Sequence, residues 1–365
     1  KQAGNFNRPV ARGIDRGQLL HGNCVARLAS AFPARLTGYH PATANQQMEH
    51  AMAKVPSNGI EIEYEEFGDK DAPVMLLVMG LGMQLLAWPK PFCELLVAAG
   101  YRVIRFDNRD VGLSSKMAER RTPAMLRMLL SMLFGWKLKN PPYTLDDMAA
   151  DSVGLLDALN IRQAHIVGVS MGGMIAQTLA ARYPERVLSL ISIMSASGDR
   201  KSSSAEFRDL RKIFLRPQPP AKATRDQVVE HMVSTVEFIG SAEHLREMNE
   251  MRAMFSASFD RDYDPAGFMR QTCAIVAHGS RRELLKQIKA PTLVIHGKRD
   301  ILVPPRGGLD TALHIRGARI ELIDDMGHDL PSALWPQLIG LVSQHCQAAN
   351  LPAPLAEALV TSSAD

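Results

Sequence analysis

With 365 residues, 46% of them hydrophobic, the chain can bury a sizeable core and is expected to be a folded globular protein rather than a disordered one. Its net charge of +4 resides in residues 1 to 51, where Lys1, Arg8, Arg12, Arg16, Arg27 and Arg35 face only Asp15 and Glu49; the remainder balances 36 basic against 36 acidic residues, which leaves no basic stripe and excludes nucleic acid as the expected partner. No run reaches the roughly 18 to 20 apolar residues of a bilayer span, and no secretion-signal layout is seen, so a cytoplasmic protein without a stable membrane span is expected.

Residues 1–55 hold no sustained period of 2 or 3.6 and are read as a flexible basic extension, dispensable for solubility and activity. A turn at Ser57-Asn58-Gly59 then opens the alternating strand Ile60, Ile62, Tyr64. The apolar run VMLLVMG (74–80) suits a strand buried on both faces, PFCELLVAAG (91–100) has helical spacing, and YRVIRFD (101–107) is again a strand. The stretch TPAMLRMLLSMLFGWKL (122–138) predicts one helix, apolar almost all round, that must be covered. It is a core helix under a cap, or else a soft Met-rich wall of an acyl pocket or a membrane-facing mouth, with Met128 and Met132 as the positions that would tell.

Alternation continues with a helix over 143–159, a strand over 164–169, a helix over 171–183 and a strand over 186–194, which predicts a parallel sheet covered on both faces. Residues 200–280 interrupt it with helical periodicity and no strand, and strands return at 291–297 and 318–324, followed by a helix over 333–346. The predicted organisation is therefore an α/β core over 56–199 and 281–350, a helical cap over 200–280 lying on the carboxyl edge of the sheet, and a flexible tail over 351–365. Cys24, Cys93, Cys273 and Cys346 stand far apart with no CxxC pair, which predicts free buried thiols, a reducing compartment and no zinc or redox site.

Chemistry enters at HIVGVSMGGM (165–174). A GxSxG match alone is weak, since a chain this rich in glycine holds one by chance about one time in ten. Here, however, Gly168-Val169-Ser170-Met171-Gly172 ends a predicted strand and opens a predicted helix, the setting of a nucleophile elbow. Ser170 needs a base and a group to orient that base. Asp300 follows one late strand and His328 the next, so neighbouring strands would bring both to the edge that carries Ser170. Asp324 and Asp325 are rivals for the acid; His165, His278 and His296 are read as structural, and Asp329 as pointing away from His328. An oxyanion would be held by the N–H groups of Met171 and of Leu81 in the Met79-Gly80-Leu81-Gly82 loop.

The motifs VMGLG, FDNRDVGLSS, GVSMGGMIAQTLA, PTLVIHGKRDILVP and MGHDLP together resemble the α/β-hydrolase superfamily over 58–347, and within it bacterial serine esterases similar to aclacinomycin methylesterase. The resemblance implies the α/β-hydrolase fold, with a mostly parallel central sheet, helices on both faces and a helical cap before the last two strands. It also implies a Ser170, Asp300, His328 triad, an oxyanion hole from Leu81 and Met171, and no cofactor or metal. Many superfamily members have His-Gly where this chain has Met79-Gly80; the methylesterase group shares Met-Gly. Serine at 170 disfavours epoxide hydrolase and dehalogenase chemistry, and Asp107 and Arg109 are read as holding a structural turn. The expected reaction is hydrolysis of a small-molecule ester or lactone through an acyl-enzyme. Carbon–carbon hydrolysis, perhydrolysis or ligand binding without catalysis stay open as alternatives, as does a homodimer.

Overall fold

In the computed structural model, residues 52–123, 125–134, 136, 138–203, 222–241 and 248–350 are described. Residues 1–51 of the predicted extension, with Cys24, and the predicted tail 351–365 lie outside them.

Eight strands form one sheet: β1 (Ala53–Ser57), β2 (Ile60–Phe67), β3 (Val74–Val78), β4 (Arg102–Phe106), β5 (Ala164–Val169), β6 (Val187–Ile193), β7 (Thr292–Gly297) and β8 (Arg319–Ile323). Their order is β1-β2-β4-β3-β5-β6-β7-β8, and from β4 to β8 every pairing is parallel. β1 and β2 make an antiparallel hairpin in which Ser57 pairs with Ile60 across Asn58 and Gly59, whose φ values of 47° and 78° suit a two-residue turn. β1 thus begins at Ala53, inside the stretch 1–55 read as an extension. Sequence periodicity missed β1 because it contains Pro56, which lacks a ladder donor and is tolerated here because β1 lies at the sheet edge.

β3, β5 and β7 are buried throughout, as their unbroken apolar runs require. Successive residues feed opposite layers. Leu76, Ile104, Ile166 and Leu190 pack with Leu155, Ile175 and Leu179 of the helices Leu145–Ala158 and Met171–Arg182. Leu77, Val103, Val167 and Ile191 pack with Phe92, Leu96, Leu338 and Val342 of the helices Lys90–Ala98 and Trp335–Ala349. Cys93, Cys273 and Cys346 are buried free thiols.

Two buried imidazoles make stability depend on pH. His165 lies 2.8 Å from Ser189 Oγ, and burial, with the nearby His345, pushes it down to about 4; burial pushes His345 to about 4 as well. Both are depressed bases, so the unfolded chain takes up the extra protons. Stability should be unaffected above pH 6.5 and fall as pH drops from 6.5 towards 4, by at most about 1.4 kcal/mol per pH unit for each histidine. Urea midpoints at pH 7 and pH 5 check this; equal midpoints would contradict it.

Between β6 and β7 the described regular elements are all helices: Arg200–Ser203, Arg225–Ile239, Met248–Arg261, Pro265–His278 and Arg282–Leu285. Residues 204–221 and 242–247 of the predicted cap lie outside the description. Thr224 and Gln227 form a capping box that starts one helix, and Asp264 followed by Pro265 starts another. Val229, Val233 and Phe255 give the cap a small core of its own.

The helix predicted within 122–138 spans Met125–Phe134. Met128 is buried, its Sδ 3.3 Å from Cys273 Sγ on a cap helix, which agrees with packing beneath the cap. The side chain of Met132 lies outside the description. Coverage fails further on: Phe134, the last residue of the helix, and Trp136, 60% and 61% exposed, stack on each other at 5.5 Å. Among the described residues no helix is long and apolar enough to cross a membrane.

Candidate active site

β5 leads into Ser170, which has φ 55° and ψ −118°, and then straight into the helix Met171–Arg182. A positive φ on a residue with a side chain is strained and persists only where its surroundings enforce it. Here the Ser170 N–H donates to Ile193 O at 3.0 Å, and Ser195 Oγ donates to Ser170 O at 2.7 Å. The motif glycines are required by space: a Cβ on Gly168 would lie 2.2 Å from Gly172 O, and one on Gly172 would lie 2.0 Å from Val78 O.

β7 and β8 deliver the partners. The N–H groups of Lys298 and Arg299 donate to Ile323 O and Met326 O, tying the two post-strand loops together, and Gly297 leaves room for Met326 O to approach. His328 Nε2 lies 3.0 Å from Ser170 Oγ, and His328 Nδ1 lies 2.6 Å from Asp300 Oδ2. Asp300 is 3% exposed, with Oδ1 accepting the N–H groups of Leu302 and Val303 at 3.0 and 2.8 Å. Burial alone would raise its carboxyl, but the facing His328 and hydrogen bonds from His296 and His328 outweigh it and hold Asp300 below the ordinary carboxylate range.

The rivals sort cleanly. Asp324 pairs with Lys298 and Asp325 with Arg299, both at the surface. His165 lies buried in the sheet beside Ser189, and His278 lies 3.5 Å from Asp146. His296 is closer to the chemistry than expected: its Nε2 is 2.8 Å from Val303 O and 3.5 Å from Asp300 Oδ2, so it flanks the acid. Its position four residues before Asp300, at the end of the strand, was the signal available. Asp329 is held by Ser241 Oγ at 2.5 Å.

The loop after β3 runs beside the serine, for a Cβ on Gly80 would lie 3.3 Å from Ser170 Cβ. Its backbone is fixed from two sides: Asn108 Nδ2 donates to Met79 O at 2.9 Å, and the Gly82 N–H donates to Gln271 Oε1 at 2.8 Å. Gln271 is buried and also donates from Nε2 to Arg109 O at 2.8 Å. The N–H groups of Leu81 and Met171 donate to no acceptor among the described residues.

FDNRDVGLSS does more than hold a turn. Asp107 accepts from the N–H groups of Leu85 and Leu113 at 2.7 and 2.9 Å and meets cap residue Arg261 at 3.0 Å. Arg109, expected to hold the same turn, instead pairs with Asp151 at 2.6 Å, and Asp110 pairs with cap residue Arg270 at 2.9 Å. The loop is a strut between core and cap. A separate cleft of about 400 Å³, lined by Arg120, Arg121, Thr122, Ala266, Met269 and Arg270, includes none of Ser170, Asp300 and His328.

A serine on a strained strand-to-helix turn, facing an imidazole backed by a buried carboxylate at the carboxyl ends of parallel strands, defines the α/β-hydrolase class. A family model described as "alpha/beta hydrolase fold" matches residues 73–331, and the chain belongs to that family. Among its relatives, a rhodomycin D methylesterase of Streptomyces peucetius is 29% identical over 81% of this chain and 98% of its own. A 3-oxoadipate enol-lactonase of Acinetobacter baylyi is 26% identical over 75% of this chain and 89% of its own. Among solved structures, the enol-lactonase of Burkholderia xenovorans superposes with a TM-score of 0.60 at 24% identity, covering 81% of this chain and all of that one, a likeness of fold.

Proposed function

We propose that Ser170, His328 and Asp300 are the catalytic triad of this enzyme, a carboxylic-ester hydrolase, and that its substrate is a small or medium apolar ester or lactone. The observation that carries this reading is the unbroken path from Ser170 Oγ through His328 to buried Asp300, at 3.0 and 2.6 Å. Ser170 Oγ attacks the carbonyl carbon while His328 Nε2 takes its proton; Asp300 orients the imidazole and stabilises the imidazolium. The tetrahedral oxyanion is bound by the N–H groups of Leu81 and Met171, each worth about 2.7 to 4 kcal/mol of barrier lowering. His328 returns the proton to the leaving alcohol, and water then attacks the acyl-enzyme with His328 again as base, releasing the acid.

The substrate class is supported by relatives whose names state a methylesterase and an enol-lactonase. A small-molecule partner rather than nucleic acid is supported by the balance of charge outside residues 1–51. A cytoplasmic location is supported by three free buried thiols. The test is hydrolysis of p-nitrophenyl esters from acetate to decanoate, with a fluorophosphonate labelling the protein in parallel. Turnover with labelling at Ser170 is expected; absence of both would refute the ester hydrolase reading.

A further inference from the structure

Ser241 belongs to the cap, directly after the helix Arg225–Ile239, and is 3% exposed. Its hydroxyl accepts the Gly327 N–H at 2.8 Å and donates to Asp329 Oδ1 at 2.5 Å. These are the neighbours of His328 on either side, and the N–H of His328 itself donates to Ile239 O at 2.9 Å. Three consecutive residues of the histidine loop are thus held by a single cap segment, 239–241. The two segments are close-packed: a Cβ on Gly327 would lie 2.3 Å from the Gly240 carbonyl carbon, and one on Gly240 would lie 2.8 Å from the Asp329 side-chain atom Oδ2.

Asp300 orients the imidazole ring but makes no hydrogen bond to the backbone of residues 327–329 among the described residues. Without its cap bonds, the loop would be anchored by the ring and, ahead of residue 327, by the Arg299 N–H to Met326 O, and a displacement of about 1 Å between reacting groups can cost about 100-fold in rate. A buried N–H such as that of Gly327 also demands an acceptor. Ser241 is the one cap side chain that bonds both neighbours of His328 among the described residues.

We infer that Ser241 is a positioning residue: from the cap, it sets the loop that carries His328 against Ser170. The inference rests on the reading of His328 as the general base. Cap residue Gln271 likewise holds the Gly82 N–H, so the cap bonds both the loop after β3 and the loop that carries His328 and is part of the catalytic frame as well as a cover.

The test uses the full chain carrying Ser241→Ala or Ser241→Thr, with kcat and KM measured on the best p-nitrophenyl ester. Ser241→Ala should lower kcat by about 10- to 100-fold with KM within about twofold, and Ser241→Thr, which keeps the hydroxyl, should stay within about threefold of wild type. Introduced beside His328→Ala, the alanine change should alter the residual rate by less than about twofold, because its effect acts through the imidazole. Unchanged kcat in Ser241→Ala overturns the inference; so does an equal loss in both backgrounds, which would make Ser241 a packing residue. A wild type that neither turns over esters nor labels refutes the hydrolase reading instead, and is distinguishable from both.

Discussion

Ser170→Ala is expected to remove about six orders of magnitude from kcat on any ester the wild type accepts, with KM little changed. The reasoning is chemical: alanine keeps the turn's volume but leaves His328 Nε2 with no hydroxyl to activate, and no acyl-enzyme can form. Folding should survive and the melting temperature should stay close to that of wild type, because alanine keeps the Cβ and so the same strain at φ 55°, and loses only the hydroxyl that faces His328. Steady-state kinetics, a melt and loss of fluorophosphonate labelling check all three parts. Retention of more than about a hundredth of the activity would remove Ser170 from the role of nucleophile.

The second large effect is expected from Asp300→Asn, a loss of about 10⁴-fold in kcat. The substitution is nearly isosteric, so its amide oxygen can keep accepting the N–H groups of Leu302 and Val303. Its NH₂ must then face His328 Nδ1 at the 2.6 Å contact, where it donates instead of accepting. This forces the ring proton onto Nε2, the nitrogen that has to receive the Ser170 proton, and the base is disarmed with its geometry intact. Asn variants at 324 and 325 should change the rate by less than about twofold, since those carboxylates engage Lys298 and Arg299 at the surface. Comparing kcat for the three variants decides the identity of the acid; an Asp300→Asn enzyme within tenfold of wild type would overturn the assignment.

Much of this architecture is legible in the sequence. The buried strands β3, β5 and β7 announce themselves as apolar runs, and Gly168 and Gly172 mark the elbow because a turn that tight has no room for a Cβ. Other features left no such trace. β1 was hidden because Pro56 breaks the strand pattern and only its place at the sheet edge makes it acceptable. Phe134 and Trp136 read as core residues by composition, yet one ends the helix, the other follows it, and both meet solvent. Arg109 looked like a turn residue, while its partner Asp151 lies 42 residues away on a helix.

By itself, then, the sequence determined the alternation of strands and helices, the interruption by a cap, the serine on its turn, and the order serine, aspartate, histidine. These follow from periodicity, turn sterics and chain order, all of which act over a few residues. Only the tertiary structure decided that Asp300 rather than Asp324 or Asp325 faces His328, that His296 flanks that carboxylate, and that Ser241 and Gln271 reach from the cap to the loops around Ser170. Each of those contacts joins residues 28 to 189 positions apart, apart from the local pair His296 and Asp300. Such contacts depend on which loop ends the assembled sheet and the cap bring within hydrogen-bonding range, a matter of three-dimensional approach that no local pattern encodes.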